Sequence, residues 1–138
     1  MSADSEIVQP EALTKDFLKT LLEAAYMNVS IDDDGDVMVK DSFRFWVMPA
    51  DNGRWTRLFA QFKGNPDATM GAKLEYVNAV NRDLHLIRAY LRDNGGFTYD
   101  QYIPSEGGIS RRSIVFAVRG FDGLLKSALD LDVGNVVG

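Results

Sequence analysis

The apolar residues of this chain change period twice, and that restricts it to a small set of folds. Leu13, Phe17, Leu18, Leu21, Leu22 and Ala25 recur three and four positions apart, as one face of an amphipathic helix requires. Thr14 suits the N-cap of that helix, and Asp16 its first turn. From Met27 the period is two. Met27, Val29 and Ile31 alternate with polar partners, and Val37-Met-Val39, Phe43–Met48 and Trp55–Phe62 continue the pattern. The breaks between these runs are turns. Asp32-Asp-Asp-Gly-Asp36 lies in the first, and Asn52-Gly53 in the third supplies two residues that tolerate φ > 0. Four strands joined this way form an antiparallel meander.

The second change of period follows Gly64-Asn-Pro-Asp67. Leu74, Val77, Val80, Asn81 and Leu84 predict a second helix, with Tyr76 flanking. Leu86–Leu91 and Phe97–Ile103 predict a hairpin around Arg92-Asp-Asn-Gly-Gly96, closed by Pro104. Ser110 suits a third N-cap. Ile114, Val115, Val118, Phe121, Leu124, Leu125, Ala128 and Leu129 then predict a third helix. Gly120 and Gly123 inside it imply a kink or a close helix–sheet contact. The order is α-β-β-β-β-α-β-β-α, without βαβ alternation. The expected class is α+β, an antiparallel sheet with flanking helices. With no internal repeat or linker, the expectation is one domain over residues 11–131, with flexible tails at 1–10 and 132–138.

Composition narrows the chemistry. Among 138 residues there is no cysteine and one histidine. That removes disulfides, thiolate metal sites, Fe–S clusters and thiol nucleophiles. The net charge of −5 argues against sequence-independent nucleic-acid binding, which draws on Lys and Arg. Residues 1–69 carry 7 basic and 12 acidic side chains, so the whole excess lies there; residues 70–138 carry 8 of each. No apolar run approaches the roughly 18 residues of a membrane span. The acidic start, Met1-Ser-Ala-Asp-Ser-Glu6, lacks the blocks of a secretory signal. The expectation is a cytoplasmic protein with no membrane association.

Several constellations invite a chemical reading. Ser30–Asp41 can be laid on a calcium loop, but Ser30 and Asp41 replace its terminal Asp and Glu, and its flanks alternate like strands. A solvated β-turn accounts for the aspartates, and no metal is expected. His85 lacks the nucleophile elbow that would make it a catalytic base. Gly120-Phe-Asp-Gly123 has the spacing of a nucleic-acid clamp, but Asp122 is wrong for a phosphate backbone. Gly107, Gly108, Ser110, Arg111 and Arg112 combine Gly-rich backbone, a helix start and two cations, the ingredients of an anion site. No catalytic residues and no cofactor are expected.

The strand faces give a further signal. If Phe43, Phe45 and Val47 face the helices, the opposite face carries Arg44, Trp46 and Met48. The same face of the later hairpin carries Leu86, Arg88 and Tyr90, with Thr98, Asp100 and Tyr102. Aromatics, Met and Arg are enriched at protein interfaces. Trp46, Met48, Tyr90 and Tyr102 are the candidate protein-binding residues; a second helix covering that face, or aromatics merely scattered on the surface, are the competing explanations.

The run Val77-Asn-Ala-Val-Asn-Arg82, the strand ending Arg88-Ala-Tyr90, the turn Asp93-Asn-Gly-Gly96 and Gly107-Gly-Ile-Ser110 before a helix resemble the YbjN-domain family over roughly residues 11–130. These are small bacterial proteins described as sensory transduction regulators. The resemblance implies a fold like that of type III secretion chaperones, commonly dimeric, with no catalytic residues to carry over. Trp55–Phe62 and its loop to Pro66 depart from the pattern. The expected function is a non-enzymatic protein-binding or regulatory module, a homodimer or acting on a protein partner. The alternative is an anion- or nucleotide-sensing domain, or a weak enzyme, using Gly107–Arg112.

Overall fold

A computed structural model describes residues 6–138. In chain order these form β1 (Ile7–Val8), a 3-10 turn (Pro10–Ala12), α1 (Lys15–Ala24), β2 (Val29–Ile31), β3 (Val37–Lys40), β4 (Arg44–Ala50) and β5 (Trp55–Phe62). α2 (Met70–Asp83), β6 (Arg88–Leu91), β7 (Phe97–Pro104), β8 (Ile109–Ser110) and α3 (Arg111–Asp130) follow. The strands make an antiparallel six-stranded sheet in the order β2-β3-β4-β5-β7-β6, and β1 pairs with β8. The α+β class and the order of the main elements are those read from the sequence.

Two compact units divide the chain. One is Met1–Leu58 with Tyr102–Asp122; the other is Phe59–Gln101 with Gly123–Gly138. Their boundaries in the chain fall inside β5, β7 and α3.

In the first unit, α1 lies against β2, β3 and β4. Its buried stripe is Leu18, Leu21 and Leu22, and the Thr14 hydroxyl caps it by accepting from the Phe17 N–H at 3.1 Å. The inward residues of β3 and β4 are Val37, Val39, Phe45 and Val47. Phe45 meets Phe121 of α3 edge to face, with ring centroids 5.1 Å apart. The Asp122 carboxylate accepts from the Phe43 N–H at 3.0 Å. Gly53 turns with φ +82°, where a Cβ would collide with the Pro10 carbonyl. The hairpin turn and the 3-10 turn are therefore in close contact.

In the second unit, α2 lies against β6. Tyr76 meets Phe97, and Phe62 meets Tyr99, both edge to face, at 5.4 and 5.6 Å. The Tyr76 hydroxyl donates to the Ala128 carbonyl at 2.9 Å, so its 2.8 Å bond to Tyr99 is donated by Tyr99. Burial raises both phenols. Tyr76 is pushed up to about 12 by burial, while the Tyr99 contact opposes that shift; Tyr99 is raised by burial and by its bond to Tyr76.

Four expectations need correction. The buried stripe of α2 is Lys73, Tyr76 and Val80, and Leu74 faces solvent, so the helix is turned one position from the expected face. Tyr76 draws it round, because its hydroxyl has buried partners. The hairpin strand starts at Arg88; Leu86 is exposed with φ +70° and lies outside it. Of the kink or close contact expected at Gly120 and Gly123, the close contact is not made, since a Cβ on either would meet nothing within 4 Å among the described residues. The segments read as tails contribute buried side chains. Val8 is buried in β1; Asp132 caps the Val136 and Val137 N–H groups, and Val136 is buried. Residues 1–5 of the first of these lie outside the described residues.

Candidate functional site

On the first unit, the outward residues of β3 and β4 begin the site. Met38 stands opposite Trp46, between fully inward pairs. Trp46 is half-buried, and its indole Nε1–H donates to Asp32 Oδ2 at 2.9 Å. Asp32 Oδ1 accepts from the N–H groups of Asp34 and Asp36 at 3.0 and 2.9 Å. The aspartate turn thus holds the tryptophan. Asp32 lies below the ordinary carboxylate range because the Asp36 N–H and then the Trp46 indole favour its charged form. Lys15 pairs with Asp36 at 2.8 Å, and that bond raises the lysine. Asp32, Asp34 and Asp36 bring one carboxylate oxygen each within 4.8 Å of one another. Two of the three are already engaged by chain groups, and the flanking β2 and β3 are not the helices of a calcium loop.

The neighbouring strand β5 opens with Trp55, which is 40% exposed. It meets Tyr102 of β7, 44% exposed, edge to face at 6.1 Å. The Arg57 guanidinium lies 5.8 Å from the Tyr102 ring centroid. Met48 is half-buried on β4. Of the four candidates, Trp46, Met48 and Tyr102 therefore belong to the first unit. Trp55 and Arg57 join them, though the strand reading passed them over. Their signal was available: in Trp55–Phe62, period-two alternation with Leu58 inward places both outward.

Tyr90 belongs to the second unit. Arg88 stands over its ring at 5.2 Å and grips Asp100 through Nε and Nη2 at 2.9 and 2.7 Å. Asp100 is 1% exposed although it alternates with inward residues, because Arg88 lies directly across from it.

At the start of α3, Ser110 and Arg111 among the anion ingredients are engaged inside the chain. The Ser110 hydroxyl accepts from the Ser113 N–H at 3.0 Å. The Arg111 N–H donates to the Glu6 carbonyl at 3.2 Å. The Arg111 side chain stands 3.5 Å from the Glu6 carboxylate and over the Phe17 ring. Gly108 passes beneath Ile7 and Gln9; Gly107 and Arg112 are exposed. His85 is exposed two residues beyond α2. Gly120 and Gly123 lie within α3, not in a loop between helices.

This architecture has known relatives. The YbjN family, described as "putative bacterial sensory transduction regulator", matches residues 14–130. The chain belongs to the YbjN family. The crystal structure of YbjN from E. coli has a similar fold, with a TM-score of 0.80 at 15% identity, over 96% of this chain and 99% of that one. The structure of the HopA1–SchA chaperone–effector complex is similar at a TM-score of 0.57 and 16% identity, over 86% of this chain and 91% of that one. No curated protein matches. The fold is thus shared by a YbjN protein and a chaperone–effector complex. Among the described residues, no helix is long and apolar enough to cross a membrane.

Proposed function

We propose that this YbjN-family chain is a non-enzymatic protein-binding module of the bacterial cytoplasm, chaperone-like, working as a homodimer or on a protein partner. Its contact surface is the outward face of the first unit: Trp46, Met48 and Tyr102, with Trp55 and Arg57. Tyr90 is a separate contact on the second unit. The observation that carries this reading is the Trp55–Tyr102 pair. Two large aromatic side chains stand about 40% exposed, held against each other with a guanidinium alongside. Rigid aromatics with Arg form the energetic centre of many interfaces, because they bury much apolar area for little lost side-chain freedom. The chaperone–effector relative adds that a fold of this shape occurs in a protein complex.

Light scattering at about 50 µM tests it, a concentration at which a micromolar dimer is populated. A dimer that the double variant Trp55→Ala, Tyr102→Ala converts to monomer supports the homodimer. A monomeric chain whose cross-linked host proteins are lost in the double variant supports a separate partner. A monomer with the same cross-links in both forms overturns the reading.

A further inference from the structure

A second surface of the first unit lies on the helices. α1 and α3 leave between them a groove of about 820 Å³. Leu21, Val115 and Phe116 give it apolar walls, and Arg111, Arg112 and Arg119 line it. Arg111 is paired with Glu6, and among the described residues none of those that line the groove is a carboxylate, which leaves Arg112 and Arg119 as its cations. Phe116 is 79% exposed and Tyr26, at the end of the groove, 97%. Phe116 is out of phase with the buried Ile114, Val118 and Phe121 of its own helix. It has Arg112 four residues before it and Arg119 three after, so all three share one strip of α3. Arg119 donates to the Ala25 carbonyl across the groove at 2.5 Å, which ties the two helices together there.

Gly120 also lines the groove. A helix-interior glycine costs about 1 kcal/mol relative to alanine. Nothing among the described residues requires it, since a Cβ at Gly120 would meet open space. A backbone approaching from outside the chain would require it. Positive charge is set here on a chain whose net charge is −5, so the complementary occupant is acidic.

We propose that the α1–α3 groove binds an acidic amphipathic helix of a partner protein. Apolar side chains of that helix pack on Leu21, Val115 and Phe116. Its carboxylates meet Arg112 and Arg119, and its backbone passes over Gly120. From Arg112 to Gly120 is eight residues, about 12 Å of helix, so the partner contributes roughly two turns. The proposal deepens the protein-binding reading but uses a surface separate from the strand face.

The test uses the full chain and a fluorescein-labelled 18-residue helical peptide with a leucine stripe flanked by glutamates. Its twin carries lysine for every glutamate. Fluorescence anisotropy is expected to show micromolar, salt-sensitive binding of the acidic peptide and at least tenfold weaker binding of the twin. Arg112→Glu weakens the acidic peptide at least tenfold. Gly120→Ala raises the thermal unfolding midpoint yet weakens the peptide, a combination that damage to the fold cannot produce. Trp55→Ala with Tyr102→Ala leaves peptide binding unchanged, so loss of either surface is read separately. Absence of saturable binding up to about 1 mM, equal binding of the two peptides, or full binding by Gly120→Ala overturns the proposal. Binding of phosphatidylglycerol vesicles that Arg112→Glu abolishes, without peptide binding, overturns it in favour of a membrane surface.

Discussion

Asn81 satisfies both backbone polar groups of Ala89 with one side chain. Its Nδ2 donates to the Ala89 carbonyl at 3.0 Å, and its Oδ1 accepts from the Ala89 N–H at 2.8 Å. β6 is the last strand of the sheet, so these two groups have no further strand to pair with. The amide takes the place of that strand and protects an edge otherwise open to another chain. Asn81→Ala is expected to destabilise the fold by about 1–2 kcal/mol, the worth of two hydrogen bonds at a partly wet edge. Urea denaturation reads the loss, and hydrogen exchange of the Ala89 amide should accelerate more than the global change explains.

Arg88 and Asp100 form the second such relationship. The carboxylate is buried while the Arg88 side chain is more than half exposed. Removing the arginine takes away the ion pair of the buried Asp100 carboxylate, and breaking a buried pair costs about 3–5 kcal/mol in a dry interior. Because Arg88 itself is more than half exposed, Arg88→Ala is expected to cost less than that, about 2 kcal/mol. Arg88→Ala with Asp100→Asn should recover part of that. A double-mutant cycle that finds no coupling would show the pair contributes nothing.

Acid weakens the first unit through Asp32. Its folded value is depressed, so its contribution is present in full above the ordinary carboxylate value of 3.8 and is lost as pH falls through the depressed one. The indole N–H resonance of Trp46 should shift with a midpoint below 3.8. Trp46→Phe removes one of the bonds holding the carboxylate down, so acid unfolding of that variant should begin at higher pH.

Alkali acts on the tyrosine pair. Tyr76 is raised from 10 to about 12. Its contribution is therefore complete below pH 10 and falls as the unfolded chain ionises between 10 and 12. Stability measured over that range should drop while phenolate absorbance from this pair stays absent. Tyr99→Phe leaves Tyr76 bonded to Ala128 and should cost about 1 kcal/mol. Tyr76→Phe strands the Tyr99 hydroxyl and should cost about 2.

Gly123→Ala is expected to stabilise the chain by about 1 kcal/mol, because a methyl group there meets open space and relieves the helix-interior penalty of glycine. Chemical denaturation with an unchanged slope checks it. Destabilisation would mean that α3 needs its glycine for a bend.

The elements of this fold were legible in the sequence because each is written in local terms. Thr14 and Ser110 cap the helices they precede, Asn52-Gly53 turns a hairpin, and the alternation through Phe43–Met48 names its inward side. The outward face of the candidate site could be read the same way, since period two places Trp46, Met48 and Tyr102 outward, and Trp55 and Arg57 likewise, without reference to anything distant.

Contacts between distant residues were decided only by the tertiary structure. Tyr76 is one apolar-looking residue among several in α2 until Ala128, 52 residues away, offers a carbonyl to its hydroxyl. Asp122 looks solvent-facing until it reaches the Phe43 N–H, and Asp32 looks like an ordinary turn residue until an indole is laid on it. The end segments looked like tails because a two-residue strand and a capped turn carry too little periodicity to register. Sequence determines which side chains share a face, because that follows from backbone geometry within a few residues. It does not determine which polar group finds a partner, because that partner arrives only when the chain has folded back on itself.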